Sequence, residues 1–360
     1  MSDPFAFADE LGPAKIVHVH EPALGLHGTL VVDNTACGPA IGGLRMAPDV
    51  STEECFRLAR AMTLKNAAAG LPHGGGKSVL VGDPHGPREH KERLIRAFAA
   101  ALRSATDYIF GPDMGTDETC MAWVHDEIGR AVGLPRELGG IPLDELGATG
   151  FGLRFAADVA ARHAGVSLPG ARIVIQGFGS VGIHTARFLA AEGARLVGVS
   201  DSRGAVADPH GLDVEALVAL KQAGKSVADH GAGRRATAEE LIALPCEIWI
   251  PAARPDAIRA ESAGKLQARL VVPGANLGVT DEAERRLAER GVVCLPDFIA
   301  NAGGVICAAM EWRDATQSAA FAAIEERIRA NTEAVLETSR RRGVRPREAA
   351  VGGGRGRGGP

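Results

Sequence analysis

Two lysines, Lys65 and Lys77, bracket a glycine triplet in the run MTLKNAAAGLPHGGGKSVLVGDP, residues 62–84. A lysine behind glycines suggests a phosphate cradle, and that reading is testable. A phosphate-binding G-x-x-x-x-G-K-[ST] loop ending in Gly76-Lys77-Ser78 needs glycine at position 71, preceded by a strand and followed by a helix. Position 71 is Leu71, the preceding stretch has helical spacing, and the β-like SVLVG follows. The pattern therefore excludes a phosphate loop. Leu58, Met62, Lys65 and Ala69 recur at helical spacing, so Lys65 lies on the stripe that should be buried. Such a lysine either snorkels to the surface or points into a cleft. A second lysine close by, among glycines that let backbone and ligand approach, suits a small anionic substrate. Burial and like-charge repulsion lower a lysine pKa, leaving a free amine for acid–base work near neutral pH.

The elements that must position these residues fall into two textures. The first ~145 residues mix short strands and helices. GTLVVDNTACGPAIGGLRM reads as a strand and a Gly/Pro loop. STEECFRLARAMTLKNAAAG reads as a helix, with Ser51 and Glu54 as a capping box and Gly70 as its end. From Ala171 the runs RIVIQ, RLVGVSD, CEIWIPAA, RLVVPGAN and GVVCLPD alternate with helical segments, as in a doubly wound parallel sheet. The fold class expected is α/β in two domains: an N-terminal α/β substrate domain and a Rossmann-type dinucleotide-binding domain, with the active site in the cleft between them. We place the substrate domain at 1–145, with C-terminal helices over 305–345 packing back near the cleft, and the nucleotide domain at 146–304. AAFAAIEERIRANTEAVLETSRRR reads as a helix pair or one long helix, and 346–360 as a flexible Gly/Arg tail.

The second domain opens with GFGSVG, Gly177-Phe178-Gly179-Ser180-Val181-Gly182, after a strand and at the start of a helix. A second strand ends in Asp201 about twenty residues on, the context this fingerprint requires. The helix N-terminus would face a pyrophosphate. Asp201 would accept from the adenosine ribose hydroxyls and repel a 2′-phosphate, favouring NAD over NADP, with Arg203 as a contrary sign.

Bulk properties narrow the classes. Of the 360 residues 46% are hydrophobic and 23% charged, with a formal net charge of −4. That leaves no global electrostatic case for nucleic acid or a membrane surface. No apolar run is long enough to span a bilayer. The six cysteines form no Cys-x-x-Cys pair and read as reduced thiols of a cytoplasmic protein. No histidine spacing fits a metal site. His18 and His20 alternate along a strand, the arrangement of an exposed strand face.

At this point the chain resembles the glutamate/leucine/phenylalanine/valine dehydrogenases. Leu71 to Pro84 fits their signature [LIV]-x-x-G-G-[SAG]-K-x-[GV]-x-x-x-[DNST]-[PL], with GPAIGGLRM before it and GPDMGTDE, GATGFG, GFGSVG, GANLGVTDEA and PDFIANAGGVICAAMEW after it, in the right order. The resemblance implies reversible NAD-linked oxidative deamination of an L-amino acid to a 2-oxo acid and ammonia. It implies that Lys77 and Asp113 are catalytic and that Lys65 holds the α-carboxylate. Thr149 and Asn276 would approach the nicotinamide end, and Asn301 would line the substrate cleft. It also implies a homo-oligomer. A non-catalytic NAD-binding sensor with this fold would be expected to lack one of Lys65, Lys77 or Asp113, and all three are present.

Glutamate-specific members carry lysine in G-P-x-K-G-G and serine in N-A-G-G-V-x-x-S. Here those positions are Ile41 and Ala308. A glutamate side-chain carboxylate would lie against them without partners, at a cost of several kcal/mol. The expectation is an apolar substrate, branched-chain or aromatic, in a pocket of Ile41, Gly42, Gly111, Val305 and Ala308. DELGATG, in contrast, is similar to the hinge of glutamate-type members. His73 stands where Met or Leu is expected.

Overall fold

The computed structural model describes residues 6–355. In chain order the elements are β1 (Lys15–Glu21), β2 (Leu26–Asn34), β3 (Ala40–Ala47), α1 (Thr52–Ala68), β4 (Gly74–Val81), α2 (Arg88–Ala101), β5 (Tyr108–Pro112), α3 (Glu118–Ile128), α4 (Ala148–His163), β6 (Arg172–Gln176), α5 (Ser180–Ala191), β7 (Arg195–Asp201), β8 (Gly204–Ala207), α6 (Val214–Gln222), β9 (Arg234–Ala236), α7 (Ala238–Ile242), β10 (Ile248–Pro251), α8 (Ala260–Ala263), β11 (Leu270–Val271), α9 (Asp281–Glu289), β12 (Val293–Cys294), α10 (Asp297–Ala300), α11 (Gly303–Glu311), α12 (Gln317–Arg342) and α13 (Pro346–Arg355). They divide into two units. The first runs to Leu146 and takes in Val305–Ala323; the second is Gly147–Gly304 with Ile324–Gly353.

The first unit is a five-stranded sheet in the order β1-β2-β4-β3-β5. β1, β2 and β4 pair antiparallel, while β3 runs parallel to both β4 and β5. Strand alternation sorts the side chains. Ala40, Leu44 and Met46 of β3, with Tyr108 and Phe110 of β5, join Leu94, Ile95 and Phe98 of α2 and Met121 and Val124 of α3 in one core. The opposite face, carrying Val31 and Val79, packs on Cys55 and Ala59 of α1. Each large apolar side chain buried this way contributes about 1.5–3 kcal/mol.

Ser51 caps α1 by accepting from the Glu54 N–H at 3.1 Å. The reciprocal half of the expected capping box is absent, because the Glu54 carboxylate accepts from Arg45 at 2.6 Å instead. The helix ends at Ala68, and Gly70 follows with φ +63°.

The second unit is a seven-stranded sheet, β12-β11-β10-β6-β7-β8-β9. It is parallel from β12 to β7, and β8 and β9 add an antiparallel edge. The chain order reverses at β6, between β10 and β7, a topological switch point of the kind where doubly wound sheets bind ligands.

The C-terminal segment departs from expectation in two ways. Only 305–323 groups with the first unit; α12 is one long helix that passes into the second from Ile324 onward. There Arg329 pairs with Asp158 at 2.6 Å and Glu333 meets His163 at 2.8 Å, both on α4. Part of the segment read as a tail is α13, Pro346–Arg355. Arg347 of α13 lies 2.7 Å from both Glu284 and Asp297, two buried carboxylates distant in sequence. Residues 356–360 lie outside the described residues.

Candidate active site

The glycines around Lys77 bring helix and sheet together. A Cβ on Gly75 would lie 2.0 Å from the Thr63 N–H nitrogen of α1, so only glycine lets that helix lie directly on β4. Asn66, next to Lys65 on α1, ties the two by donating to the Gly74 carbonyl at 2.6 Å. Lys65 itself is 5% exposed. Lys77 lies inside β4 rather than in a loop, and it is 3% exposed. Its Nζ forms an ion pair with the Asp113 carboxylate just beyond β5. A Cβ on Gly43 would sit 3.1 Å from that Nζ and 2.7 Å from the Asp113 Cβ, so the pair occupies the space a side chain there would take.

Arg45 is the residue that sequence reasoning missed. It is buried, and it binds Glu54 at 2.6 Å and Asp113 at 3.3 Å. Its signal was available, since Ile41, Gly43 and Arg45 alternate along β3 and share the face that carries the Lys77–Asp113 pair. Burial lowers the Lys77 pKa and the Arg45 charge lowers it further, while Asp113 opposes. Arg45, two strand positions from Gly43, is a positive charge beside Lys77 that the sequence reading did not anticipate. For Asp113 burial works upward, but Lys77 and Arg45 outweigh it and hold the carboxyl well below the usual range. The result is a carboxylate that stays ionised beside an amine that releases its proton more readily than ordinary lysine.

Ile41 is 3% exposed, and its backbone carbonyl faces Asn66 Nδ2 at 3.4 Å. A Cβ on Gly42 would lie 1.8 Å from the Gly76 carbonyl oxygen, so this glycine permits close strand contact. Gly111 pairs with Gly43, and a Cβ there would make ordinary contacts with Val132 at 3.6 Å and the Gly42 carbonyl oxygen at 3.9 Å. Val305 and Ala308 lie three residues apart on one face of α11. The end of that helix is fixed by Glu311, which accepts from the Leu134 and Ile141 N–H groups, each at 3.0 Å. The His73 Nδ1 donates to the Pro39 carbonyl at 3.1 Å, and its buried Nε2 has no partner. Burial pulls its pKa down, so the ring is neutral at pH 7.

In the second unit each glycine of the fingerprint has its own task. Gly177, at φ +102°, would place a Cβ 2.7 Å from the Ala253 nitrogen. Around Gly179, the residue that opens α5, a Cβ would meet nothing within 4 Å, which leaves the N-terminus of that helix approachable by an anion. A Cβ on Gly182 would lie 2.0 Å from the Gly177 carbonyl oxygen, so this glycine seats the helix on the strand. Phe178 is buried, while Ser180 and Val181 form the first turn of α5. Asn276 and Asn301 meet, Nδ2 of Asn301 donating to Oδ1 of Asn276 at 3.0 Å and to the Gly274 carbonyl at 3.2 Å. Asn301 Oδ1 is buried without a partner, a spare acceptor that suits a donor such as a carboxamide. Thr149 lies in the first turn of α4, where a Cβ on Gly303 would be 3.3 Å from its Cα. These residues fit a nicotinamide dinucleotide: an open helix N-terminus at one place, paired amides with a spare acceptor at another.

Asp201 ends β7, and donors of its own chain surround it. Its side chain is 4% exposed and its oxygens accept from Lys221, Ser226 and two backbone N–H groups. No group of three or more metal-ligating side chains exists among the described residues, and His18 and His20 are exposed on β1.

The family model described as Glu/Leu/Phe/Val dehydrogenase, dimerisation domain, matches residues 13–130, and that described as Glutamate/Leucine/Phenylalanine/Valine dehydrogenase matches 139–355. The chain belongs to this family. It is an NAD-dependent oxidoreductase that interconverts an amino acid with its 2-oxo acid and ammonia. Among its relatives, the NAD-specific glutamate dehydrogenase of Staphylococcus aureus is 37% identical, covering 85% of this chain and 77% of its own. The NADP-specific glutamate dehydrogenase of Saccharolobus shibatae is also 37% identical, covering 83% of this chain and 75% of its own. The solved hetero-hexameric glutamate dehydrogenase from Thermus thermophilus, in a leucine-bound form, superposes with a TM-score of 0.89 at 33% identity, covering 96% of this chain and 88% of that one.

Proposed function

We propose that the chain deaminates apolar L-amino acids, with Lys77 and Asp113 as its proton-transfer pair and Lys65 as the anchor for the substrate α-carboxylate. Bound NAD supplies a hydride acceptor for the substrate Cα. Lys77, as free amine, takes a proton from the water that adds to the resulting imine carbon. Asp113, ionised at rest, relays that proton from Lys77 to the nitrogen; the C–N bond then breaks as the new hydroxyl gives its proton to Lys77, and ammonia leaves. Positioned groups of this kind typically supply 10²–10⁴-fold each. Asn276, Asn301 and Thr149 orient the nicotinamide end, and Gly177, Gly179, Gly182 and the first turn of α5 receive the pyrophosphate.

The observation that carries the substrate assignment is Ile41. It is buried on the strand face of the Lys77–Asp113 pair, where glutamate-specific members have a lysine. With Ala308 also apolar, a side-chain carboxylate would be desolvated without a partner. Methylene-sized differences discriminate only ~10–200-fold, so a broad apolar range including leucine, methionine and phenylalanine is expected. A second reading, glutamate dehydrogenase, is favoured by the names of the relatives above. NADH formation with L-leucine, L-valine, L-methionine, L-phenylalanine and L-glutamate separates them. Higher kcat/KM for the apolar group supports the first reading; higher kcat/KM for glutamate overturns it in favour of the second.

For assembly, the dimerisation-domain match at 13–130 supports association of copies of this chain. The Thermus thermophilus protein is hetero-hexameric, so the mass of the chain purified alone decides between self-assembly and a requirement for a second chain.

A further inference from the structure

The last helix reaches the amide pair through two buried carboxylates. Nη2 of Arg347, on α13, lies 2.7 Å from Glu284 Oε1 and 2.7 Å from Asp297 Oδ1, and Nε donates to Glu284 at 2.8 Å. Glu284 and Asp297 are 4% and 1% exposed, so the guanidinium holds two desolvated like charges together. The other oxygen of Asp297, Oδ2, accepts from the Leu277 N–H at 2.8 Å. The Asp297 carbonyl accepts from the Asn301 N–H at 2.9 Å. Asp297 thus grips the chain at both members of the pair: Leu277 directly follows Asn276, and Asn301 ends the short helix that Asp297 begins.

Leu277 is where this grip matters. Its φ is +55°, in the left-handed region that a leucine adopts only at a cost. Its N–H is held by Asp297, and its carbonyl accepts from the Asp256 N–H at 2.7 Å. The left-handed backbone here sets the direction in which the chain leaves Asn276, whose Oδ1 accepts from Asn301 Nδ2 at 3.0 Å. Glycine would take this conformation freely, whereas leucine needs the anchor.

We propose that Arg347 is a positioning residue for the cofactor: acting through Asp297, it fixes the left-handed turn at Leu277 and so holds Asn276 and Asn301 in the geometry that receives the nicotinamide. The inference rests on the placement of the nicotinamide at this amide pair proposed above. Without the guanidinium, Asp297 and Glu284 are two buried carboxylates side by side. One of them takes up a proton or turns away, and the hold on the Leu277 N–H loosens. None of these hydrogen bonds involves the glycines of the fingerprint, so the pyrophosphate end is left intact.

The test is calorimetric titration of the full chain with NADH and with ADP-ribose, which carries the adenosine and pyrophosphate but no nicotinamide. It needs no amino acid, so it stands apart from the substrate assignment. We expect Arg347→Met to weaken NADH by about tenfold or more, with ADP-ribose within about twofold of the wild type. Leu277→Gly in the same background should restore most of the NADH affinity, because glycine holds the turn unaided. Arg347→Lys keeps a charge between the carboxylates but not the fork, and shows the same selective loss, smaller in size, should Arg347→Met not fold. Asn301→Ala calibrates the site and should weaken NADH alone. Equal loss of NADH and ADP-ribose in the Arg347 variants, no loss of NADH where Asn301→Ala shows one, or no recovery with Leu277→Gly would overturn the proposal alone. NADH affinity unmoved by Asn301→Ala would overturn the placement of the nicotinamide and the proposal with it.

Discussion

At the scale of the residue, the site rests on a carboxylate paired with both a buried amine and a guanidinium. Arg45 keeps the Lys77 pKa down, so its removal has a definite sign. In Arg45→Met, Lys77 loses a positive neighbour and its pKa rises. The pH at which kcat/KM for deamination reaches half its maximum should move upward, while a profile that stays in place would show that Arg45 does not tune Lys77. Ile41 gives a second test. Ile41→Lys supplies the missing partner for a side-chain carboxylate, and we expect glutamate kcat/KM to rise about tenfold or more relative to leucine. Lys65 and Lys77 were legible from spacing alone, one on a buried helical stripe and one among glycines. Asp113 became visible only through the family pattern, because beside Pro112 it reads locally as a turn residue. Arg45 was missed although strand alternation exposes it; the glycines beside it drew the reading toward a loop, where period two carries no meaning. Asp201 was legible as the end of a strand, but its partners Lys221 and Ser226 were not, because they reach it only after the chain folds back.

At the scale of the element, local pattern served well where burial is simple. RIVIQ and RLVGVSD are β6 and β7 residue for residue, and α1 occupies the segment assigned to a helix. The antiparallel β8 and β9, and the strand order of both sheets, depend on pairings that no local window contains. The same holds for α13. Its Gly/Arg end suggested a tail, yet Arg347 binds Glu284 and Asp297, which are 4% and 1% exposed. Asp297 in turn accepts from the Leu277 N–H at 2.8 Å, directly after Asn276, and its carbonyl accepts from the Asn301 N–H at 2.9 Å. The C-terminal helix therefore secures the amide pair assigned to the nicotinamide. Breaking a buried pair by removing one partner costs about 3–5 kcal/mol. Arg347→Ala should lose stability on that order, measured by denaturant unfolding; a loss under 1 kcal/mol would mean that α13 is dispensable.

At the scale of the whole molecule, the first unit carries Lys65 on α1 and Lys77 on β4 beside Asp113, and the second carries the glycine loop before α5 and the Asn276–Asn301 pair. The two-domain α/β architecture was legible because period-two and period-3.6 stretches change texture near Ala171. The division of the C-terminal helices was not, since a continuous helix carries no sequence mark where its packing partner changes. One group makes overall stability respond to pH. Burial, with Glu118, Asp113 and Asp117 nearby, pushes Asp144 up to about 7. Its folded pKa exceeds the ordinary carboxylate value near 4. Its contribution is thus fully present below about 4 and is lost as pH rises through about 7. Asp144→Asn should flatten the fall in unfolding midpoint between pH 5 and 8, and an unchanged slope would assign that fall to other groups. No helix among the described residues is long and apolar enough to cross a membrane.

The Lys77 amine is the group proposed to move the proton in the NAD-linked deamination. The most direct measurement is NADH formation by Lys77→Ala beside the wild type, on the best amino acid of the panel, with NADH affinity determined on the same preparations. We expect turnover to fall by about 10²–10⁴-fold with NADH binding unchanged. Turnover retained within tenfold, with the variant folded and binding NADH, would contradict the account.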